Sequence, residues 1–274
     1  MPAISKLFLP PPALAGCIMA GIYRDTRGVR LNAADRVNHF PATPLGSVSL
    51  ILEGQLHVIP PGQDWRMAQR VPPLAQLIAT GPQSRPVSSW APGEVAALTI
   101  GIYPDAWRAL GGDADWSQIP PELDHALSRF SKTADPTEAW SALCDDLAPV
   151  WGRARHPSWH RARHISDWVS AMAARAAMSG TGQSIRSYER WLKRNSGHTR
   201  RTLEFFGAIE RLHAASVAAG DRPLAEIALD AGYSDQSHMG RAVRRATGFS
   251  PARLNKAIEC EEPFWCYRLL GERF

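Results

Sequence analysis

Between residues 224 and 245 the sequence groups polar side chains of the kinds that read the edges of DNA bases. Gln236 can bond an adenine edge through two hydrogen bonds, Arg241 a guanine edge or a phosphate, and Ser237 and His238 either. Such side chains act only from a helix that is exposed on one face and held on the other. The neighbouring residues predict that arrangement. Pro223 opens a helix over 223–231 whose apolar residues are Leu224, Ile227, Ala228 and Ala231, and the small Ala228 lets a second helix cross closely. Gly232 supplies a positive-φ end, Tyr233 plugs the turn, and Ser234 or Asp235 caps the next helix. That second helix buries Met239, Ala242 and Val243 and leaves Gln236, Ser237, His238, Arg241, Arg244 and Arg245 outward. Two short helices joined by a glycine turn, with polar side chains near the second N-terminus, describe a helix-turn-helix.

At these residues the chain resembles the AraC/XylS family of bacterial transcription regulators. The likeness runs from Ile227-Ala228 through Gly232-Tyr233-Ser234-Asp235-Gln236-Ser237-His238 to Arg241. It continues into Thr247-Gly248-Phe249-Ser250-Pro251, the family's closing Gly-aromatic-Ser-Pro signature. The resemblance implies two such units, so an earlier copy is expected. Ser184 to Arg194 looks like the first recognition helix, Gly197 matches the glycine after it, and a long helix over 199–219 would join the units. In the first helix Arg186, Glu189 and Arg190 share one face, where arginine suits guanine and glutamate suits cytosine. Lys193, Arg194, Arg200, Arg201, Arg244 and Arg245 read as phosphate contacts or solvated charges. Trp191, Met239 and Val243 read as core. The chain departs from the family pattern upstream, where Ala171 to Gly182 lacks a clean helix-turn signature and Thr181-Gly182 replaces a compact apolar turn. That fits the first unit to backbone positioning more than to base reading.

The charge agrees. The 274 residues carry a net +5, but residues 1–150 hold 11 Lys and Arg against 14 Asp and Glu, whereas residues 151–274 hold 20 against 12. A basic half beside a mildly acidic half is the footprint of a nucleic-acid-binding module joined to something else. On charge alone, a solvated basic surface explains it equally well. With 45% apolar and 21% charged residues the composition is that of a globular protein. The longest charge-free run, Leu7 to Tyr23, is interrupted by Pro10, Pro11 and Pro12 and reads as neither membrane span nor secretion signal. Cys17, Cys144, Cys260 and Cys266 form no CxxC pair. A reduced, cytoplasmic protein with no membrane partner is expected.

The elements ahead of the helical half are β-rich and punctuated by proline. Residues 47–59 read as a hairpin turning at Glu53-Gly54, with further strands over 74–80 and 95–103. Helices are expected over 104–110, 121–130 and 136–151, a boundary near 152–158, and then helices over 159–178, 184–195, 199–219, 223–231, 235–246 and 251–260. A β-rich half ahead of such a DNA-binding domain resembles the small-barrel sensor or dimerisation domains of many family members, which implies a small-molecule or peptide effector and, where the domain dimerises, a second copy of the chain. His39, His57, Trp65, Trp90 and Tyr103 could line a pocket, packing being the commoner role for each. Barrel enzymes of similar shape need a His-x-His pair with a carboxylate. Here His39, Glu53 and His57 offer no such pair, and no nucleophile elbow, P-loop or dinucleotide pattern is visible.

The expected architecture is α+β. A β-rich, barrel-like sensor or dimerisation domain (1–155) precedes an all-α domain with two helix-turn-helix units (156–258) and an aromatic tail (259–274). The tail either docks across the domain boundary or covers the last helix locally. The expected activity is sequence-specific binding of double-stranded DNA under effector control, without enzymatic chemistry or cofactor, and with RNA polymerase as a partner if the protein activates. The DNA-contacting residues are Arg186, Glu189, Arg190, Lys193, Arg194, Gln236, Ser237, His238, Arg241 and Arg245. The alternatives are a ligand- or partner-binding module with a secondary DNA role and, third, a metal-dependent barrel enzyme.

Overall fold

The computed structural model describes residues 2–159, 161–179, 184–218 and 224–272. The N-terminal half contains strands β1 (Ile4–Phe8), β2 (Ile18–Asp25), β3 (Val37–Phe40), β4 (Gly46–Glu53), β5 (His57–Val58), β6 (Leu77–Thr80), β7 (Val87–Trp90) and β8 (Ala96–Ile102). They form two antiparallel sheets, a larger one in the order β1-β2-β8-β4-β6 and a smaller one in the order β3-β7-β5. Helices α1 (Pro104–Ala109), α2 (Pro121–Phe130) and α3 (Pro136–Ala154) follow.

The hairpin expected over 47–59 does not form. β4 pairs with β8 and β6, whereas β5 pairs with β7 in the other sheet. Gly54, at φ 81°, turns the chain as expected, but it carries it around a corner between sheets. Local turn chemistry fixed the bend. The choice of partner strands came from burial, which no short stretch encodes.

Period-2 alternation gives the larger sheet two different faces. Val48, Leu50, Leu98 and Ile100 lie at most 5% exposed on the face covered by α1, α2 and α3, against Trp107, Leu123, Leu127, Leu143 and Trp151. Ser47, Ser49 and Thr99 face the other way, and the Ser49 and Thr99 hydroxyls bond each other at 2.9 Å. Trp140 packs flat against Phe8 at 5.3 Å between ring centroids. It comes so close to Gly21 that a β-carbon there would sit 2.6 Å from its ring, so this position admits only glycine.

The C-terminal half is helical: α4 (Ile165–Met178), α5 (Ile185–Ser196), α6 (Arg200–Ala218), α7 (Leu224–Asp230), α8 (Gln236–Thr247), α9 (Pro251–Cys260) and α10 (Trp265–Gly271). The main core does not stop at α3. Trp168 and Met172 of α4, Leu192 of α5 and Leu203 of α6 belong to the same buried cluster as the larger sheet. Residues 212–243 of α6, α7 and α8 build a second, separate core around Leu212, Ile227, Ala228, Tyr233, Met239 and Val243. Each fully buried large aliphatic side chain contributes about 1.5–3 kcal/mol, so both cores hold their helices firmly. Among the described residues no helix is long and apolar enough to cross a membrane.

The tail crosses to the other half of the chain. Trp265, Cys266 and Leu269 pack against Leu7, Ile22 and Phe40, while Phe264 and Tyr267 pack on Phe249, Leu254 and Ala257 of the helical half. Both arrangements left open by the sequence therefore occur together, and the local cover is only part of the contact. Trp265 donates its indole N–H to Asn38 Oδ1 at 2.8 Å, and Glu262 pairs with the buried Arg24.

Candidate DNA-binding surface and ligand cavity

The two recognition helices are built alike. α5 starts at Ser184, whose side chain accepts from the Ser187 amide, and α8 starts at Asp235, whose carboxylate accepts from the His238 amide at 2.6 Å. The His238 amide first, and then the Ser234 hydroxyl, hold the Asp235 carboxyl below its ordinary range. Each helix ends on a glycine in the left-handed region, Gly197 at φ 77° and Gly248 at φ 86°. Just before each glycine a hydroxyl closes the last turn. Ser196 Oγ donates to Leu192 O at 2.7 Å and accepts from the His198 amide, and Thr247 Oγ1 donates to Val243 O at 2.8 Å and accepts from the Phe249 amide. The same termination occurs 51 residues later, which identifies two structural copies.

Arg186, Glu189, Arg190, Lys193 and Arg194 of α5 are exposed, as are Gln236, Ser237, His238, Arg241 and Arg245 of α8. Some of them have partners within the molecule. The His238 ring stands edge-on to Tyr233 at 5.2 Å, with Nδ1 3.3 Å from Ser234 Oγ. The Arg245 guanidinium lies 4.1 Å from the Phe205 ring. Arg194 approaches Arg108 of α1, which burial and then this like charge leave easier to deprotonate than usual. Met239 and Val243 are buried, and Trp191 is half-buried beneath Arg175 at 5.6 Å. Pro223 and the Thr181-Gly182 turn lie outside the described residues.

The units are anchored by polar contacts that the sequence did not suggest. Glu210 of α6, buried, accepts from the Ile165 and Ser166 amides at 2.8 and 2.7 Å and so caps α4 from a neighbouring helix. Asp105 of α1 accepts from Trp168 Nε1 at 2.9 Å and pairs with Arg175 at 2.6 Å. The Arg175 guanidinium also covers Trp159 at 4.1 Å.

A cavity of about 1590 Å³ lies between the two sheets, α6, α8 and α10. Its wall is largely apolar, including Ile22, Phe40, Phe206, Ile209 and Trp265, with Ser47, Ser49, Thr80 and Thr99 as hydroxyls on the larger sheet. Charged or titratable groups on its border include Arg24, Arg85, Glu210, His213, Arg244 and Arg245. Among the described residues, Arg24 Nε and Tyr267 Oη are buried there without a hydrogen-bond partner. Burial leaves the Arg24 guanidinium easier to deprotonate and pushes the Tyr267 phenol up.

The pocket candidates lie elsewhere. Trp65 and Trp90 stack on each other at 5.4 Å, Tyr103 packs against Trp168 at 5.4 Å, and His39 sits between Phe249 and Phe264. His57 Nδ1 lies 2.7 Å from Val71 O, His39 Nδ1 2.7 Å from Ser88 Oγ, and Glu53 pairs with Arg27. The three metal-ligand candidates are thus engaged with separate partners. The cavity-lining residues were illegible in the sequence because they come from both sheets and from helices spread over residues 165–270.

Residues 173–257 match the model of a helix-turn-helix domain. The C-terminal region is an AraC-type helix-turn-helix domain. Comparison with curated proteins gives no match. Among solved structures the chain is similar to an apo variant of ToxT from Vibrio cholerae strain SCE256, at 12% identity and a TM-score of 0.43 over 92% of this chain and 96% of that one. It is also similar to unsaturated-fatty-acid-bound wild-type ToxT from that strain, at 11% identity and a TM-score of 0.39 over 92% and 94% of the two chains. The matched stretch spans both capped helices, α5 and α8, and lies in the basic half of the chain.

Proposed function

We propose that the protein is a cytoplasmic, sequence-specific transcription regulator that reads double-stranded DNA with α5 and α8. The observation that carries this reading is the duplicated helix, capped at its start, closed on a left-handed glycine, and presenting Arg186, Glu189 and Arg190 in one copy and Gln236, Ser237, His238 and Arg241 in the other. These side chains lie in the N-terminal halves of their helices, where a recognition helix meets base edges. Lys193, Arg194 and Arg245 lie toward the C-terminal ends, where phosphate contact or pairing within the protein is their role. The division into 1–155, 156–258 and 259–274 belongs to this reading, with the first segment sensing and the second reading.

The effector in this reading occupies the cavity. An apolar wall with hydroxyls on one side, and buried donors on Arg24 and Tyr267, suits an apolar molecule carrying a hydrogen-bond acceptor. Control of transcription, with RNA polymerase or a second copy of the chain as partner, follows from the regulator reading and not from any contact in the structure. Selection of bound duplexes from a random pool with the full chain tests the central claim. Recovery of a two-part motif is expected, and no enrichment over nonspecific binding refutes it. Mass spectrometry of the denatured, freshly purified protein tests the cavity, where an apolar acceptor-bearing molecule is expected to be released.

A further inference from the structure

Two loops of the N-terminal half meet both recognition helices at their C-terminal ends. The loop after β3 and the loop between β6 and β7 are joined by an antiparallel bridge at Thr43 and Gln83, with N–H to O distances of 2.9 and 3.0 Å in the two directions. On one side of the bridge lie Pro44 and Pro82. The Pro44 carbonyl stands by the buried His198 ring just beyond α5, where it opposes the burial that pushes the imidazole down, and a β-carbon on Gly197 would stand 3.8 Å from Pro82 Cγ. On the other side lie Ala42 and Pro86. The Ala42 amide donates to Ala246 O at 2.7 Å near the end of α8, and a β-carbon on Gly248 would stand 3.6 Å from Pro86 Cγ. Each loop thus touches both units, and each side of the bridge touches one.

We propose that this two-loop clip sets the separation and relative rotation of α5 and α8, and that Ala42, Pro44, Pro82 and Pro86 are positioning residues for the spacing of the two DNA segments read. The physical argument is one of stiffness. The two units have separate hydrophobic cores, so without the clip their relation would be fixed by α6 across residues 200–218 and, less directly, by the tail docked on the β-rich half. The bridge adds a direct connection between the C-terminal ends of α5 and α8, away from the base-reading side chains, whose N-terminal halves are exposed. One base pair changes the position of a groove segment by about 3.4 Å along the axis and about 35° around it. A connection held by a backbone hydrogen bond and proline rings is stiff enough to discriminate at that scale. The inner side of the clip, including Thr43, Gln83 and Pro86, also borders the cavity, so a molecule bound there touches the positioning element itself.

This inference rests on the DNA-reading function proposed above, and its test separates the two. Full-length protein is assayed on its selected duplex and on versions with one base pair inserted or removed between the two contacted segments. For the parent chain a loss of about tenfold per spacing change is expected, comparable to one mismatched pair. Pro82→Gly combined with Pro86→Gly removes both rings from beside the capping glycines, and a glycine inserted between the exposed Ser84 and Arg85 lengthens the clip without touching either cap. In both variants the spacing penalty is expected to fall to about twofold or the preferred spacing to shift, while penalties for base changes within each segment stay as in the parent. An unchanged spacing penalty in either variant, folded by circular dichroism, overturns the clip and leaves the DNA-reading function intact. Failure of the parent chain to prefer any duplex overturns both.

Discussion

Asp105 of α1 and Arg175 of α4 form an ion pair at 2.6 Å, buried where the β-rich half meets the first helix-turn-helix unit. Trp168 donates to the same carboxylate, and Trp159 lies under the same guanidinium, so the pair is satisfied on both sides. A buried pair of this kind is costly to break singly, because the remaining charge keeps its desolvation penalty. It fastens the first unit to the sheet domain, whereas the second unit is held through the clip and the tail.

Asp105→Asn is therefore expected to lower stability by about 3 kcal/mol, since Arg175 is left buried and unpaired. Arg175→Met is expected to cost a similar amount, and the double variant less than the sum of the two. Urea denaturation of the four proteins measures the coupling, and simple additivity would show that the two residues do not act as a pair.

Removing Trp265 opens a hole between the tail, Ile22 and Phe40 and leaves Asn38 Oδ1 without its donor. Trp265→Ala is expected to cost about 3–5 kcal/mol. The urea midpoint reads this directly. A change below about 1 kcal/mol would mean that the docked tail contributes little.

The base-reading and phosphate-binding assignments differ in sign of specificity. Arg241→Ala and Gln236→Ala are each expected to cost about 1–3 kcal/mol on the selected duplex and to relax preference at one position. Lys193→Ala is expected to weaken all duplexes alike and to reduce the salt slope by about one. Binding isotherms on matched and mismatched duplexes at several salt concentrations distinguish these outcomes.

His39 gives a pH dependence. Burial, and then the nearby Arg253, push its imidazole down from 6.5 to about 4, with Glu261 opposing. The folded protein therefore holds it neutral where the unfolded chain would take up a proton. Stability from this site is complete above about pH 6.5 and is lost as the pH falls toward 4, at up to about 1.4 kcal/mol per pH unit. The urea midpoint of His39→Gln is expected to vary less across that window than the parent's, and equal slopes would assign the acid sensitivity to other groups.

The helices of the C-terminal half were legible because their signals are local. Asp235 as a cap, Gly232 and Gly248 as positive-φ ends, and Pro251 at a first turn act over a few residues through backbone hydrogen bonds, and the helix over 251–260 has the bounds its residues suggest. The departure of α4 is instructive. Its start moves from 159 to Ile165 because Glu210, 45 residues away, supplies the cap. The hairpin failed for the corresponding reason, since Gly54 marks a bend and says nothing of which strand waits beyond it.

By itself the sequence determined where most helices start and stop, which faces of α5 and α8 are polar, and that the basic excess lies in the helical half. All of these depend on contacts within about one or two helical turns. Only the tertiary structure decided that the strands split into two sheets around a cavity, that the tail crosses to Asn38 and Arg24, and that Thr43 and Gln83 join two loops over both recognition helices. Those relations bring together residues tens to hundreds of positions apart. They are chosen by the burial of whole surfaces and by the need to pair each buried polar group, so no local pattern announces them.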